Sequence, residues 1–371
     1  MRILVDYRPA LRARTGVGEY MHELVRAYTA AHDDEVAVFT SSWTDRPAPG
    51  VAREIGARVV DRRLPVRVLN YLWHRFEWPT VERLAGPCDV VHAAHPLLIP
   101  ARDAAQVITV HDLFFLTSPE RTRAEIRRDY PVLAPSHARR ADAVVTPSAY
   151  TGRLVADRFG VDEGRIYVCP PGAPEWRALG RAPNPAPGGY VLFVGTLEPR
   201  KNVGTLLDAY ARLARAPRGL PRLVLAGGTA PDASPWLRRI GQPPLREHVE
   251  HRGYVRHDDR ERLYAGARAL VLPSLDEGFG LPVLEAMSAG VPVIVSDRGS
   301  LPEVVGTGGT VLPPDDVEAW EAAIQRLTMD PTWAERQAVA ALERARAFTW
   351  TGTAARLHQA YLDAVTRRSA R

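Results

Sequence analysis

Cysteine is nearly missing from this chain of 371 residues: Cys88 and Cys169 lie 81 positions apart, in no Cys-x-x-Cys spacing. That excludes a disulfide framework and a cysteine zinc site, and both are expected as core thiols. Long apolar runs are missing as well. The longest nearly apolar stretch, Pro282–Ser296, carries Glu285 and two prolines and falls short of the roughly 18 residues that a membrane-spanning helix needs. The N-terminal run within Met1–Asp6 is too short for a signal-peptide core and reads as a first buried strand, so a cytoplasmic location is expected. No short internal repeat occurs. No excess of one charge dominates either: 48 Lys and Arg stand against 43 Asp and Glu, a net +5, with 46% apolar and 25% charged residues. Such a composition excludes disordered and collagen-like chains. At about 150 residues per domain the length predicts two to three domains, with two the starting expectation.

What is present is an alternation. Short β-branched runs at Ile3–Asp6, Val36–Thr40, Val90–His92, Val107–Val110, Ala143–Thr146 and Ile166–Cys169 are each followed by helical or loop sequence, the pattern of βαβ units and a parallel sheet. It breaks at Pro170-Pro171-Gly172 and at Arg181–Gly189, where proline and glycine crowd out both regular structures and mark an interdomain linker. The rhythm then restarts with strands at Tyr190–Val194, Leu223–Ala226, Val249–Tyr254, Ala269–Pro273 and Val293–Ser296, separated by helical patterns such as Val203–Ala214 and Arg260–Gly266. The tail from Asp330 reads as helix, with Asp330 as N-cap before Pro331 and a break at Phe348-Thr349-Trp350. Two doubly wound α/β domains follow, and ligands of such sheets bind outside the carboxyl ends of the strands.

The strongest chemical signal is Pro273-Ser274-Leu275-Asp276-Glu277-Gly278-Phe279-Gly280-Leu281-Pro282-Val283-Leu284-Glu285-Ala286-Met287, which leaves a strand and opens a helix. Gly278 and Gly280 allow close backbone approach to a ligand, Pro282 suits a first helical turn, and the N–H groups there suit an anion. Glu277 in the loop and Glu285, eight positions on, can accept hydrogen bonds from sugar hydroxyls on either side of a phosphate. This string resembles glycosyltransferase family 4, the retaining nucleotide-sugar-dependent transferases of GT-B fold. The likeness extends to Gly195-Thr196-Leu197-Glu198-Pro199-Arg200-Lys201-Asn202, to Leu223–Gly228 and to Pro292–Ser296.

The resemblance implies a GT-B fold: an N-terminal Rossmann-like acceptor domain over 1–180, a donor domain over 187–349, and a final helix, 350–371, crossing back to the first. It implies that Glu277 contacts the transferred sugar, that Glu285 binds the ribose hydroxyls, and that the backbone of Gly278, Phe279, Gly280 and Leu281 lines sugar and diphosphate. Arg200 and Lys201 lie beside a helix start that Asn202 could cap, and two cations there suit a leaving diphosphate, on which negative charge accumulates. Relatives place an arginine where this chain has Thr196, which shifts the phosphate contact toward Arg200. His111, after the strand Val107–Val110, resembles a histidine near the donor sugar. Gly16, in Thr15-Gly16-Val17-Gly18, resembles the glycine loop that faces the donor, and Tyr254 a position whose backbone meets the base.

No metal is expected: His92, His95, His111 and Asp112 lack the spacing of a helical histidine pair, and side-chain cations serve the diphosphate. No other cofactor is expected. Arg121, Arg123, Arg127 and Arg128 are spaced to share a helical face that could meet an anionic membrane or a phosphorylated acceptor. Nucleic acid is not expected, because no binding module and no aromatic-basic interleaving is recognised. The expected activity is transfer of a hexose, mannose in preference, from a nucleoside diphosphate sugar to a glycan, lipid-linked or small-molecule acceptor. A phosphorylase or nucleotide-sugar epimerase on the same plan, or a noncatalytic sugar- or lipid-binding subunit, are the alternatives.

Overall fold

The computed structural model describes residues 1–11, 16–176, 188–215 and 219–371. Two compact units emerge, Met1–Gly172 with Thr349–Arg371, and Ala173–Phe348. The expected linker at Arg181–Gly189 falls, up to residue 187, outside the described residues, as does Thr15.

Among the described residues the first unit has a sheet of seven strands: β1 (Arg2–Asp6), β2 (Glu35–Thr40), β3 (Arg58–Asp61), β4 (Val90–Ala93), β5 (Ala105–Thr109), β6 (Ala143–Thr146) and β7 (Ile166–Val168). All pair in parallel, in the order β3-β2-β1-β4-β5-β6-β7. Central strands such as β4 and β6 are buried along their whole length, which is why they read as unbroken apolar runs rather than alternating ones. The strand β3 was not expected. Its four residues begin with an exposed arginine at the sheet edge, so neither an apolar run nor clean alternation announces it. Chain order reverses between β1 and β4, so the loops after those strands diverge and leave a crevice at their carboxyl ends.

The helix Val17–Ala31 follows β1 and starts from Gly16. It sits close on the turn Arg8–Ala10, because a Cβ on Gly18 would stand 2.7 Å from the Pro9 carbonyl oxygen. The last helix, Trp350–Ser369, belongs to this unit and buries Ala354, Leu357, Tyr361 and Ala364 in its core. Thr349 caps it, accepting from the Gly352 N–H, so the expected break at Phe348–Trp350 is a helix boundary. Cys169 is buried as expected, whereas Cys88 is only partly covered. Burial raises both thiols to about 12.

The arginines 121–128 do not share one helical face. The helix begins at Ala124, so Arg121 ends a short 3-10 turn and Arg123 is the cap, and Arg128 is held by Asp129 at 2.6 Å. Pro119 starts the separate turn, and a proline there is tolerated only at a first helical position.

Buried histidines give this unit an acid-sensitive core. His92 bonds Tyr361 Oη and Thr109 Oγ1, both at 2.7 Å, so neither ring nitrogen is left for a metal. Burial lowers His92 and His95 to about 3, and His111 and His137 to about 4. Each therefore stays neutral in the fold while the unfolded chain takes up a proton near 6.5. Stability contributed by neutral burial is complete above that value and is lost as pH falls toward the lowered ones, at about 1.4 kcal/mol per pH unit for each group. Chemical denaturation of the full chain should show stability dropping steeply from about pH 7 to about pH 5. A flat profile over that interval contradicts the assignment of neutral histidines.

The second unit repeats the plan. Among the described residues its strands are β8 (Tyr190–Val194), β9 (Leu223–Ala226), β10 (Val249–Gly253), β11 (Ala267–Leu272), β12 (Val293–Ser296) and β13 (Thr310–Leu312), ordered β10-β9-β8-β11-β12-β13 and all parallel. The three-residue edge strand β13 was not expected, for the same reason as β3. After β13 come the helix Val317–Met329 and then the helix Pro331–Ala345, which Asp330 caps by accepting from the Trp333 N–H at 2.9 Å, as expected.

The chains leaving β8 and β9 stay paired beyond the strands. Leu197 N–H reaches the Gly228 carbonyl at 2.8 Å, and Gly227 crosses so close to Gly195 that a Cβ would lie 2.0 Å from the Gly195 oxygen. Only glycine fits there, and its φ of +150° adds strain for any other residue. This crossing carries the segment Thr196–Lys201 over the carboxyl end of the sheet.

Candidate active site

Three of the expected residues meet in one cluster inside the second unit. Glu277, 6% exposed, follows β11, and Arg200 and Lys201 close the short turn Pro199–Lys201 after β8, the strand beside it. One carboxylate oxygen of Glu277 accepts from the Lys201 ammonium and from Ser274 Oγ, the latter at 2.7 Å; the other accepts from Arg200 Nη1 at 3.1 Å. Arg200 also donates to the Asp276 carbonyl at 2.8 Å and to Glu198 at 2.9 Å. The Leu275 N–H returns a bond to the Arg200 carbonyl at 2.7 Å, so the two loops are stitched through main chain as well.

The backbone of Glu277 is fixed from behind. Its carbonyl takes both the N–H and the hydroxyl of Ser300 at 3.0 Å, and Gly299, at φ +65°, passes so near that a Cβ would be 2.5 Å from the Glu277 nitrogen. Burial by itself pushes the Glu277 carboxyl up, but Lys201 and Arg200 outweigh it and hold the group below the ordinary glutamate range. Two cations face two carboxylates, Glu198 and Glu277, in a site largely screened from solvent. Coulomb interactions there are stronger than at the surface, so a dianionic group entering the cluster would be strongly felt.

Lys201 is the only lysine in the whole sequence; every other residue among the 48 basic ones is arginine. A compact ammonium on a thin stem is what this position accepts: a Cβ on Gly195 would touch the Lys201 Cε at 3.4 Å, and the residue is 8% exposed.

Glu285 stands apart from Glu277, in the second turn of the helix Leu281–Ser288, whose first turn carries Pro282 as expected. Its carboxylate accepts from the Arg260 guanidinium and, at 2.6 Å, from Tyr264 Oη, while its carbonyl accepts from the Trp176 indole at 3.1 Å. Burial, reinforced by Glu285, pushes the Tyr264 phenol well above its usual value, so it remains a donor. Between the two glutamates, Gly278 and Phe279 are buried, with the Phe279 ring edge-on to Phe348 at 5.7 Å; Gly280 is left-handed at φ +94° and Leu281 is half-covered. The Phe279 ring therefore belongs to the core of this unit. Thr196 is exposed, and Tyr254, just past β10, is 53% exposed.

Asn202 departs from expectation. It precedes the helix Val203–Leu213 but is left-handed at φ 51°, and its side chain makes no N-cap bond. Its amide donates to the Pro314 carbonyl at 2.7 Å, and its side-chain oxygen accepts from Thr205 Oγ1 at 3.1 Å, so it fastens the turn to a neighbouring loop instead.

His111 and Gly16 belong to the first unit. His111 Nε2 lies 3.2 Å from the Ala94 carbonyl, and Tyr20 packs edge-on to the ring at 5.4 Å. A carbonyl only accepts, so Nε2 carries the proton and Nδ1 is the bare nitrogen. Burial outweighs the opposing effect of Asp112 and leaves the ring neutral above about pH 4. Gly16 is an exposed N-cap at φ 42°.

Two sequence-family models match the chain. A Glycosyltransferase Family 4 model matches residues 14–176, and a model described as Glycosyl transferases group 1 matches 188–330. O-antigen chain mannosyltransferase B of Escherichia coli is 30% identical over 97% of this chain and 99% of its own length. The chain belongs to glycosyltransferase family 4. This glycosyltransferase is also 30% identical to the glycogen synthase of Mycobacterium tuberculosis (strain ATCC 25618 / H37Rv), over 98% of the chain and 95% of that protein. Among solved structures, sucrose-phosphate synthase (tll1590) from Thermosynechococcus elongatus superposes with a TM-score of 0.76 at 22% identity, over 97% and 98% of the two chains. Anabaena HepE in complex with UDP and glucose does so at 0.72 and 18%, over the same shares. These likenesses place the two Rossmann-like units in the GT-B fold. Within the glycosyltransferase, sequence reasoning missed Ser274, Ser300, Arg260 and Tyr264. Ser274 could have been found three residues before Glu277; the others reach their glutamates only through the fold.

Proposed function

We propose that this glycosyltransferase moves a hexose, mannose in preference, from a nucleoside diphosphate sugar to an acceptor hydroxyl with the anomeric configuration retained and without a metal ion. The observation that carries the reading is the buried cluster of Glu277, Arg200 and Lys201 at the carboxyl ends of β8 and β11. Arg200 and Lys201 take the diphosphate oxygens as negative charge grows on them, which is the task a metal would otherwise have. Glu277, relieved of part of its pairing when phosphate arrives, turns to the sugar and faces the positive charge that develops on the ring. Departure of the diphosphate leads, the acceptor oxygen bonds to the anomeric carbon on the same face, and the acceptor proton passes to a phosphate oxygen.

Glu285 holds the ribose hydroxyls in this reading. The backbone of Gly278–Leu281 and Thr196 lines the diphosphate, Tyr254 lies by the base, and neutral His111 with Gly16 serves the donor from the first unit. That unit selects the acceptor, a glycan, lipid-linked sugar or small-molecule glycoside. The mannose preference is supported by relatives that are mannosyltransferases, and the nucleotide by the structure of HepE in complex with UDP-glucose. The protein works in the cytoplasm, in peripheral contact with an anionic membrane through Arg121, Arg123, Arg127 and Arg128 of the first unit. Among the described residues no helix is long and apolar enough to cross a membrane.

Thermal stability with excess GDP, UDP, ADP, dTDP and their sugar conjugates tests the donor, because ligand bound only to the folded state raises the melting temperature. One nucleotide is expected to give a clear rise that Glu285→Gln abolishes. The sole lysine adds a second readout: acylation at Lys201, followed by mass spectrometry, should be suppressed by the same nucleotide. No rise with any nucleotide and no protection would overturn the reading.

A further inference from the structure

Both carboxylate oxygens of Glu285 are engaged by one short helix. The helix His257–Ala265 runs into β11, and Glu285 lies on the helix Leu281–Ser288 that follows the same strand. Arg260 and Tyr264 are four positions apart on the first helix and so share a face. The Arg260 guanidinium donates to Oε1 of Glu285, and Tyr264 Oη donates to Oε2 at 2.6 Å. Neither donor has room to wander. Tyr264 is fully buried with its ring tilted on that of Trp176 at 5.8 Å, and Trp176 donates its indole N–H to the Glu285 carbonyl at 3.1 Å. The side chain of Arg260 is only 15% exposed and that of Glu285 10%. Burial keeps the proton on the Tyr264 phenol, so that bond runs in one direction.

A carboxylate turns easily about its last side-chain torsion unless both oxygens are engaged. It offers about four acceptor positions. Among the described residues one position on each oxygen is filled, which leaves one on each. Two acceptors side by side in a fixed plane match two neighbouring hydroxyls, whereas a single hydroxyl satisfies only one of them.

We infer that Arg260 and Tyr264 are positioning residues that set the plane of the Glu285 carboxylate for a vicinal diol, and so make the donor a ribonucleotide sugar rather than a deoxyribonucleotide one. A thymidine diphosphate sugar is thereby excluded. This assignment rests on the reading that Glu285 holds the ribose hydroxyls, and extends it to two residues that act on the donor only through Glu285. A site built to bond a hydroxyl rejects the analogue lacking it, because its own polar group is left unpaired. That rejection is sharp when the acceptor is held in advance and has no other orientation to adopt. The opposite role for Arg260, standing in the place of the ribose until a nucleotide displaces it, predicts the opposite sign for its substitution.

Calorimetric titration of the full chain with GDP, UDP and ADP, and with the deoxyribose form of each, tests this. The parent protein is expected to bind the ribose form of its nucleotide about tenfold or more tightly than the deoxyribose form, the scale of one hydrogen bond to a charged group. Tyr264→Phe and Arg260→Gln should each shrink that ratio by about threefold or more, through weaker binding of the ribose form. General loosening of the unit would weaken both forms alike and leave the ratio where it was. Arg260→Lys, which returns a cation without the planar fork, should restore part of the ratio. A ratio unchanged in both variants but abolished by Glu285→Gln would overturn the inference and leave the ribose reading standing. Tighter binding of the ribose form by Arg260→Gln would do the same, making the arginine a blocking group. A ratio that survives Glu285→Gln, or equal binding of both forms by the parent, would overturn the reading of Glu285 and the inference with it.

Discussion

Glu277→Gln is expected to lower kcat by roughly 10²–10³-fold, the scale of losing one preorganised electrostatic contact to a transition state. The substitution keeps shape and removes charge. Glycosyl transfer passes through an oxocarbenium-like state, and an uncharged amide no longer offsets that positive charge. The amide also sets an N–H₂ group against one of the two cations, Lys201 or Arg200, where a carboxylate oxygen had accepted. The variant is less stable, because removing one partner of a buried ion pair costs about 3–5 kcal/mol, so turnover must be read alongside the melting temperature. Glu277→Asp supplies the control by restoring charge at a shorter reach and recovering part of the activity. Turnover of the glutamine variant within a few-fold of the parent, in a folded protein, would remove Glu277 from the chemistry. The pH response has a definite sign. Lys201 and Arg200 hold the Glu277 carboxyl below its ordinary value. Its pairing therefore stabilises the fold fully above that ordinary value and is lost only as pH falls through the lowered one.

Gly227→Ala is expected to produce the larger loss of stability, above about 4 kcal/mol, the range reserved for steric conflicts that the fold cannot relax. The added Cβ would lie 2.0 Å from the Gly195 oxygen, a backbone atom that can yield only if the paired loops after β8 and β9 separate. Lys201 is carried by one of those loops, so the cationic cluster is displaced together with the strand ends. Gly228→Ala is the matched control, since a Cβ there meets nothing within 4 Å. Chemical denaturation of the two variants side by side should separate them sharply. Equal stabilities would mean that the crossing at Gly195 and Gly227 is not needed.

The cluster also explains why both cations survive in a protein that otherwise uses arginine for its positive charge. Arg200 spans two carboxylates and a carbonyl with its planar fork, a task that lysine cannot perform. Lys201 occupies a place lined by the Gly195 backbone, where a narrow ammonium fits.

Much was legible from sequence because it was local. Parallel strands buried on both faces must be continuous apolar runs, so β1, β4, β6, β8 and β12 announced themselves. The string Pro273–Met287 holds its own turn chemistry, which gave the loop, the helix start and both glutamates. Asp330 capped the helix expected of it, since a cap depends on three neighbouring residues. Edge strands β3 and β13 stayed hidden, because each sets only two apolar residues beside polar ones, whereas the edge strand β7 is apolar along its whole length and was expected. Helix phase across Arg121–Arg128 was misjudged, because the start at Ala124 separates residues that even spacing had joined.

The sequence by itself determined the class of fold, the division into two halves, and the residue types available for chemistry, since each follows from patterns a few residues long. Tertiary structure decided which of them act together. Glu277 meets Lys201 across 76 positions, and Glu285 meets Tyr264 and Arg260 across 21 and 25. Those meetings depend on which strands become neighbours and on glycines that let two loops cross. Sheet order is set by the burial of whole helices and strands, and no short stretch of sequence contains that information.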